Sequence, residues 1–189
     1  MPTNVEIKAR IANKDSVLAK AKALAESHVV LSQTDTYFCV PCGRLKLRES
    51  VADKAELPCP AGELIFYNRA DVGGPKLSNY EKQTLQDCSA ALGLKEILAA
   101  CLGTKAVVTK TRHVLIVEQT RIHVDTVQNL GDFMELEVML KEGQTTEEGE
   151  QIANDLQSRL GVDAKDLIAC SYVDLILQQS SGEMSSTTK

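Results

Sequence analysis

The 189-residue chain predicts an α+β fold in which eight antiparallel strands are packed by four helices. Three observations carry that reading. Charged and apolar residues alternate through stretch after stretch, the two-residue period of a strand with one face on a core. Helical stretches, most of them opened by a capping residue, fall between and after those strands. Several connections are short and rich in turn residues, as hairpins require.

The elements follow in order. "NVEIKAR" lies in the first strand, 4–12, where Glu6, Lys8 and Arg10 alternate with Val5, Ile7 and Ala9. A helix at 14–27 takes capping oxygens from Asn13 and Asp15. Strands at 29–41 and 44–51 come next, with Pro41 and Gly43 turning between them; Lys46 and Arg48 alternate with Leu45 and Leu47. "ADKAELPCPAGE" is a loop before a strand at 62–70, on which Glu63, Tyr67 and Arg69 share a face. "DVGGPKLS" is a second loop, running into a strand at 78–85, and Asp87 caps a helix at 88–102. Strands at 105–118 and 121–127 form a tight hairpin at Gln119-Thr120. Lys110 and Arg112 share one face of the first; Arg121, His123 and Asp125 share one face of the second. Glu135 and Glu137 flank Leu136 in a strand at 132–141. Thr145 and Glu148 form a capping box before a helix at 146–160, and a last helix spans 171–178. Residues 179–189 have no periodicity and are expected to be a disordered tail, which leaves one domain over 1–178.

Composition narrows the function classes. With 43% apolar residues the chain can bury one substantial core. A net charge of −5 argues against a general nucleic-acid binder, because a phosphate backbone is held by a surplus of Lys and Arg. No apolar run reaches the roughly 18 residues of a membrane span and no signal peptide is visible, so a cytoplasmic protein without a membrane partner is expected. Cys39-Val-Pro-Cys42 has the spacing of a zinc or redox pair. A zinc ribbon needs a second such pair, and a strand follows where a redox motif needs a helix. Ordinary reduced thiols in a turn are the better reading. A homodimer stays open because two-fold pairs are the commonest assemblies.

The charged stripes admit two architectures. In an open sheet the apolar face packs on the helices and the charged face meets water. Alternatively, eight strands close into a barrel whose charged face lines a tunnel. A polar interior must satisfy its ions, so mixed acids and bases there would hold something equally charged.

"VEIKAR" resembles the ExExK signature of the CYTH family, the triphosphate tunnel metalloenzymes that include class IV adenylyl cyclases and thiamine triphosphatases. The likeness continues in family order through "TDTYF", "GRLKLRES", "ELIFYNRAD", "GPKLSNY", "VVTKTRHV", "RIHVDTV", "LGDFMELEV" and "SYVDLIL". It implies an eight-stranded antiparallel closed barrel with helices outside. It also implies a row of phosphate-binding cations, for which the candidates are Lys8, Arg10, Lys46, Arg48, Arg69, Lys110, Arg112 and Arg121. Arginine suits that task because its planar fork grips two phosphate oxygens at once. Glu6, Glu135 and Glu137, with Asp125 beside them, are the implied ligands of Mg2+ or Mn2+, ions that prefer oxygen donors shared with substrate phosphates. Glu6, Lys8, Arg48 and Glu137 are the expected catalytic residues.

Hydrolysis of inorganic triphosphate, thiamine triphosphate or a nucleoside triphosphate is the leading expectation. Cyclisation of ATP to cyclic AMP and pyrophosphate is the alternative activity, and noncatalytic triphosphate binding the alternative class. One departure bears on this choice. The signature's first Glu falls at residue 4, where this chain has Asn4, which keeps a carbonyl oxygen and loses a negative charge.

Overall fold

The structure, a computed structural model, describes residues 3–53, 62–68 and 74–186. In chain order the elements are β1 (Thr3–Arg10), α1 (Lys14–Leu24), β2 (Ser27–Phe38), β3 (Arg44–Ala52), β4 (Gly62–Asn68), β5 (Lys76–Leu85), α2 (Cys88–Leu102), β6 (Thr104–Val117), β7 (Thr120–Val127), β8 (Gly131–Met139), α3 (Thr146–Leu160) and α4 (Tyr172–Ser186). The sheet closes. Its strand order is β1-β5-β4-β3-β2-β6-β7-β8, with β8 pairing back onto β1, and every pair is antiparallel.

Alternation explains which side faces what. Val5, Ile7 and Ala9 of β1 point out of the barrel with Ile122, Val124, Met134, Leu136 and Val138 of β7 and β8. They are covered by Val17 and Ala21 of α1 and by Ala153, Leu156 and Leu160 of α3. Each large aliphatic side chain so buried contributes about 1.5–3 kcal/mol relative to exposure. Gly149 lets α3 lie this close, since a Cβ there would fall 2.5 Å from Leu140 Cδ2 and 2.9 Å from Val5 Cγ2. The apolar core is therefore outside the barrel wall, and the charges are turned inward. A second cluster, including Tyr37, Tyr67, Val108, Phe133, Tyr172 and Val173, joins strands to the start of α4.

The capping residues act as their chemistry predicts. Asn13 accepts from the Ser16 amide, Asp87 from the Ser89 and Ala90 amides, and Thr145 and Glu148 make the reciprocal capping box. Most element boundaries differ from expectation by a residue or more, and four of the differences show what sets an end. α1 stops at Leu24 because Ala25 is extended and Ser27 already pairs with Ile116. β2 ends at Phe38, before the bend that carries Pro41 and Gly43. The β6–β7 turn falls on Glu118-Gln119, with Glu118 at φ 50°, one residue earlier than expected. Finally, α4 continues to Ser186, through most of the stretch expected to be disordered, and Ser180 and Ser181 donate back to the Ile176 and Leu177 carbonyls. Arg69, Cys59 and most of the 52–63 loop lie outside the described residues.

Candidate functional site

The barrel encloses a cavity of about 280 Å3 to which every strand contributes inward positions. From β1 come Asn4, Glu6 and Lys8; from β3, Lys46 and Arg48; from β6, Lys110 and Arg112; from β7, Arg121 and His123; from β8, Glu135 and Glu137. The two-residue spacing of each set is the strand period itself, so closure converts alternation into a lined chamber.

One side of the chamber is organised by Asp35 of β2. Its Oδ2 accepts from Lys46 Nζ at 3.0 Å and Lys110 Nζ at 2.9 Å, while Arg48 grips both oxygens, Nε at 2.7 Å and a terminal nitrogen at 2.9 Å. Burial pushes the Asp35 carboxyl up, but the charges of Arg48, Lys110 and Lys46 together hold it well below the usual carboxylate range. The lysines are over-supplied with positive neighbours. Burial, reinforced by Arg48, brings Lys46 down to about 8 against the pull of Asp35. Burial likewise brings Lys110 to about 7, with Arg48, Arg112 and Lys46 adding repulsion. One carboxylate serving three cations leaves the cluster short of negative charge, which is the electrostatic signature of an anion site.

The other side holds carboxylates. Arg112 donates two bonds to Asp125, at 2.7 and 2.6 Å, and one to Glu135 Oε2 at 3.0 Å. Lys8 pairs with Glu135 Oε1 at 3.3 Å and lies 4.0 Å over the Tyr172 ring. Burial pushes the Glu135 carboxyl up; Lys8, His123 and Arg112 hold it well below the ordinary range. Glu137 faces Arg121 at 3.6 Å and is the register partner of Glu6 across β1 and β8. His123 Nδ1 stands 3.8 Å from both Glu135 Oε2 and Glu137 Oε1. Nδ1 of His123 and Oδ1 of Asn4 are buried without a hydrogen-bond partner among the described residues.

The start of α4 meets the chamber. Ile168 donates its amide to the Lys8 carbonyl, and Lys76 Nζ donates to the Ala169 carbonyl at 2.9 Å. Ser171 and Tyr172 then line the cavity. The Tyr172 hydroxyl donates to Asp125 Oδ2 at 2.7 Å, and Arg44 fixes the first turn through Asp174 at 2.8 Å.

The structure brings together Glu6, Lys8, Lys46, Arg48, Lys110, Arg112, Arg121, Glu135 and Glu137, all expected from the sequence. Two expected residues are placed elsewhere. Arg10 shares the inward parity of Lys8 but sits at the end of β1, exposed, where it donates to the Leu130 carbonyl at 2.7 Å and covers the Phe133 ring. Asp125 is fully buried and absent from the cavity lining, with both oxygens accepting from Arg112 and one also from Tyr172, so it orients Arg112. Glu63 lines the wall and accepts from Lys82, and Glu118 is exposed in its turn. Cys39 and Cys42 are free and exposed at the β2–β3 turn. Sequence reasoning missed Asp35 and Tyr172. Asp35 stood in "TDTYF" on the same parity as Gln33 and Tyr37, yet its importance depends on cations supplied by the two flanking strands.

Comparison with known proteins agrees with this geometry. The sequence matches the CYTH domain over residues 2–172. No curated protein matches it. Among solved structures, the PH1012 protein of Pyrococcus horikoshii OT3 is similar at 22% identity, with 91% of this chain and 98% of that one covered and a TM-score of 0.73. A putative adenylate cyclase from Vibrio parahaemolyticus is similar at 18% identity, covering 92% and 97%, with a TM-score of 0.68. A putative adenylyl cyclase from Hippeastrum, described as having a dominant triphosphatase activity, is similar at 12% identity, covering 94% and 96%, with a TM-score of 0.57. At such identities the structural likeness is one of fold, and the match along the sequence does the rest: this chain belongs to the CYTH family.

Proposed function

We propose that the protein is a divalent-metal-dependent triphosphatase that holds a small triphosphate inside the barrel. The reading rests on one feature, a single chamber with an anion-deficient cluster of Lys46, Arg48 and Lys110 on one wall and Glu6, Glu135 and Glu137, with Arg112 beside them, on another. A chain of phosphates needs both. Its own charge is met by the cations, and a bound ion, held by carboxylates, neutralises the remainder.

The donor set fits Mg2+ or Mn2+: Glu6, Glu135 and Glu137 offer oxygens at the wall, and Asn4 Oδ1 is a buried acceptor with no partner among the described residues. When bound there, the ion would withdraw charge from phosphoryl oxygens and make a coordinated water more acidic. The protein's own share is positioning. Arg48 and Arg112 enter the site with their planes fixed by Asp35 and Asp125, so little rotamer entropy remains to be lost on gripping phosphate. Lys46 and Lys110 can turn their ammonium protons from Asp35 to phosphate oxygens as charge moves onto the leaving group. Arg121, partly exposed, extends the cationic wall beyond Glu137.

The test is a product assay with Mg2+ or Mn2+ and, in parallel, inorganic triphosphate, thiamine triphosphate and ATP. Orthophosphate release that is lost in Glu137→Gln is the expected result. Cyclic AMP with matching pyrophosphate from ATP would instead make the protein a cyclase, and binding without turnover would make it a noncatalytic holder of triphosphates.

A further inference from the structure

We infer that His123 is a direct ligand of the divalent ion through Nδ1, and that this nitrogen biases the site toward Mn2+ over Mg2+. The inference rests on the metal-dependent reading above and goes beyond its all-oxygen donor set.

His123 and Glu135 are register partners on β7 and β8, and Arg121 and Glu137 are the next inward pair along the same ladder. That register places the imidazole between two carboxylates. The ligand atoms of His123, Glu135 and Glu137 all lie within 4.8 Å of one another. Nδ1 is 3.8 Å from one oxygen of each, which is too far for a hydrogen bond. It is close to the spacing of neighbouring ligands on a metal, since bonds of about 2.1 Å at right angles leave their donor atoms roughly 3 Å apart.

Nδ1 also makes no hydrogen bond of its own among the described residues. The His123 side chain is 5% exposed, lines the chamber, and leaves Nδ1 buried with no hydrogen-bond partner among the described residues. Buried polar atoms are nearly always paired, so an unpaired one standing between two carboxylates of a chamber wall marks a place for a cation. The neighbouring oxygens are graded. Glu135 is restrained by Lys8 and Arg112, whereas Glu137 meets Arg121 at a looser 3.6 Å and its Oε1 is the one nearer His123. Glu137 Oε1 and His123 Nδ1 can therefore close on an ion with small side-chain rotations.

Metal choice follows from the nitrogen. Mg2+ takes oxygen ligands in near-ideal octahedral geometry, whereas first-row transition ions accept imidazole readily. Asn4, one inward position along β1 from Glu6, offers a neutral oxygen where the family signature has a carboxylate. An imidazole nitrogen nearby restores a ligand atom without restoring the negative charge.

The experiment uses the full chain without substrate. Mn2+ is bound and its electron spin echo examined for the nitrogen coupling of a coordinated imidazole, while calorimetry gives Mn2+ and Mg2+ affinities. The chain has 3 histidines, and His28 and His113 stack on each other at an exposed position, so a double variant His28→Asn, His113→Asn leaves His123 alone to report. Expected are a nitrogen coupling that persists in this double variant and vanishes in His123→Asn, and a Mn2+ affinity in His123→Asn about tenfold weaker, with Mg2+ changed by less than about twofold. Mn2+ binding that depends on Glu137 but shows no nitrogen coupling, or a coupling that survives His123→Asn, would overturn the role of His123 and leave the metal-dependent reading standing. Absence of Mn2+ binding, or equal binding in Glu137→Gln, would overturn both.

Discussion

Asp35 holds cations from two neighbouring strands, and the cost of that arrangement falls on the lysines. Lys110 sits at about 7 in the folded chain against 10.5 when exposed, because burial outweighs Asp35 and nearby Arg charges add repulsion. Below pH 7 both states carry the proton, and the full penalty of the crowded charge is present. Between about 7 and 10.5 the unfolded chain keeps the proton while the folded chain gives it up, so stability rises with pH across that window. Lys46, at about 8, acts in the same direction. The unliganded protein should therefore melt about 3 °C or more higher at pH 9 than at pH 7, and Lys110→Met should reduce that rise. An identical pH slope in the variant would refute this account of Lys110. At this scale the sequence was legible in parity and mute about height and partners. Alternation turned Lys8, Lys46, Arg48, Glu135 and Glu137 inward, yet it turned Arg10 the same way, and only the end of β1 takes Arg10 out of the chamber. Asp125 shows the complementary limit, because alternation does not reveal that its oxygens accept from Arg112 on the neighbouring strand.

Elements were read more securely than their ends. Capping residues and alternation mark where backbone groups need partners, and those needs are local. Termination is set by what pairs next, which is why α1 yields to β2 at Ser27 and α4 outruns its apolar pattern. The β2–β3 connection is the element where one backbone angle decides the register. Gly43 adopts φ +64°, and a Cβ there would lie 2.8 Å from the Phe66 ring and 2.9 Å from the Tyr67 carbonyl oxygen. Gly43→Ala should cost roughly 1–3 kcal/mol in urea unfolding, from the left-handed backbone and the clash together. A loss indistinguishable from zero would mean that the turn relaxes freely and does not hold Lys46 and Arg48 in place.

For the whole molecule, closure is the decisive fact, and residue chemistry alone left it open. The same stripes would fit an open, solvated sheet, and pairing of β1 with both β5 and β8 is what makes them a chamber. Once closed, the barrel carries its apolar core outside its wall and its ions within, so the fold's stability and its proposed chemistry occupy opposite faces of the same strands. Changes on the inward face should accordingly alter binding more than folding. The measurement that tests this most directly is calorimetric titration of inorganic triphosphate into the protein with divalent ions chelated, comparing the natural chain with Lys46→Met, Lys110→Met. One triphosphate per chain is expected, with a loss of at least about tenfold in affinity in the double variant and the fold retained. Undiminished binding in that variant would contradict it, because the triphosphate would then be held somewhere other than the interior of the barrel.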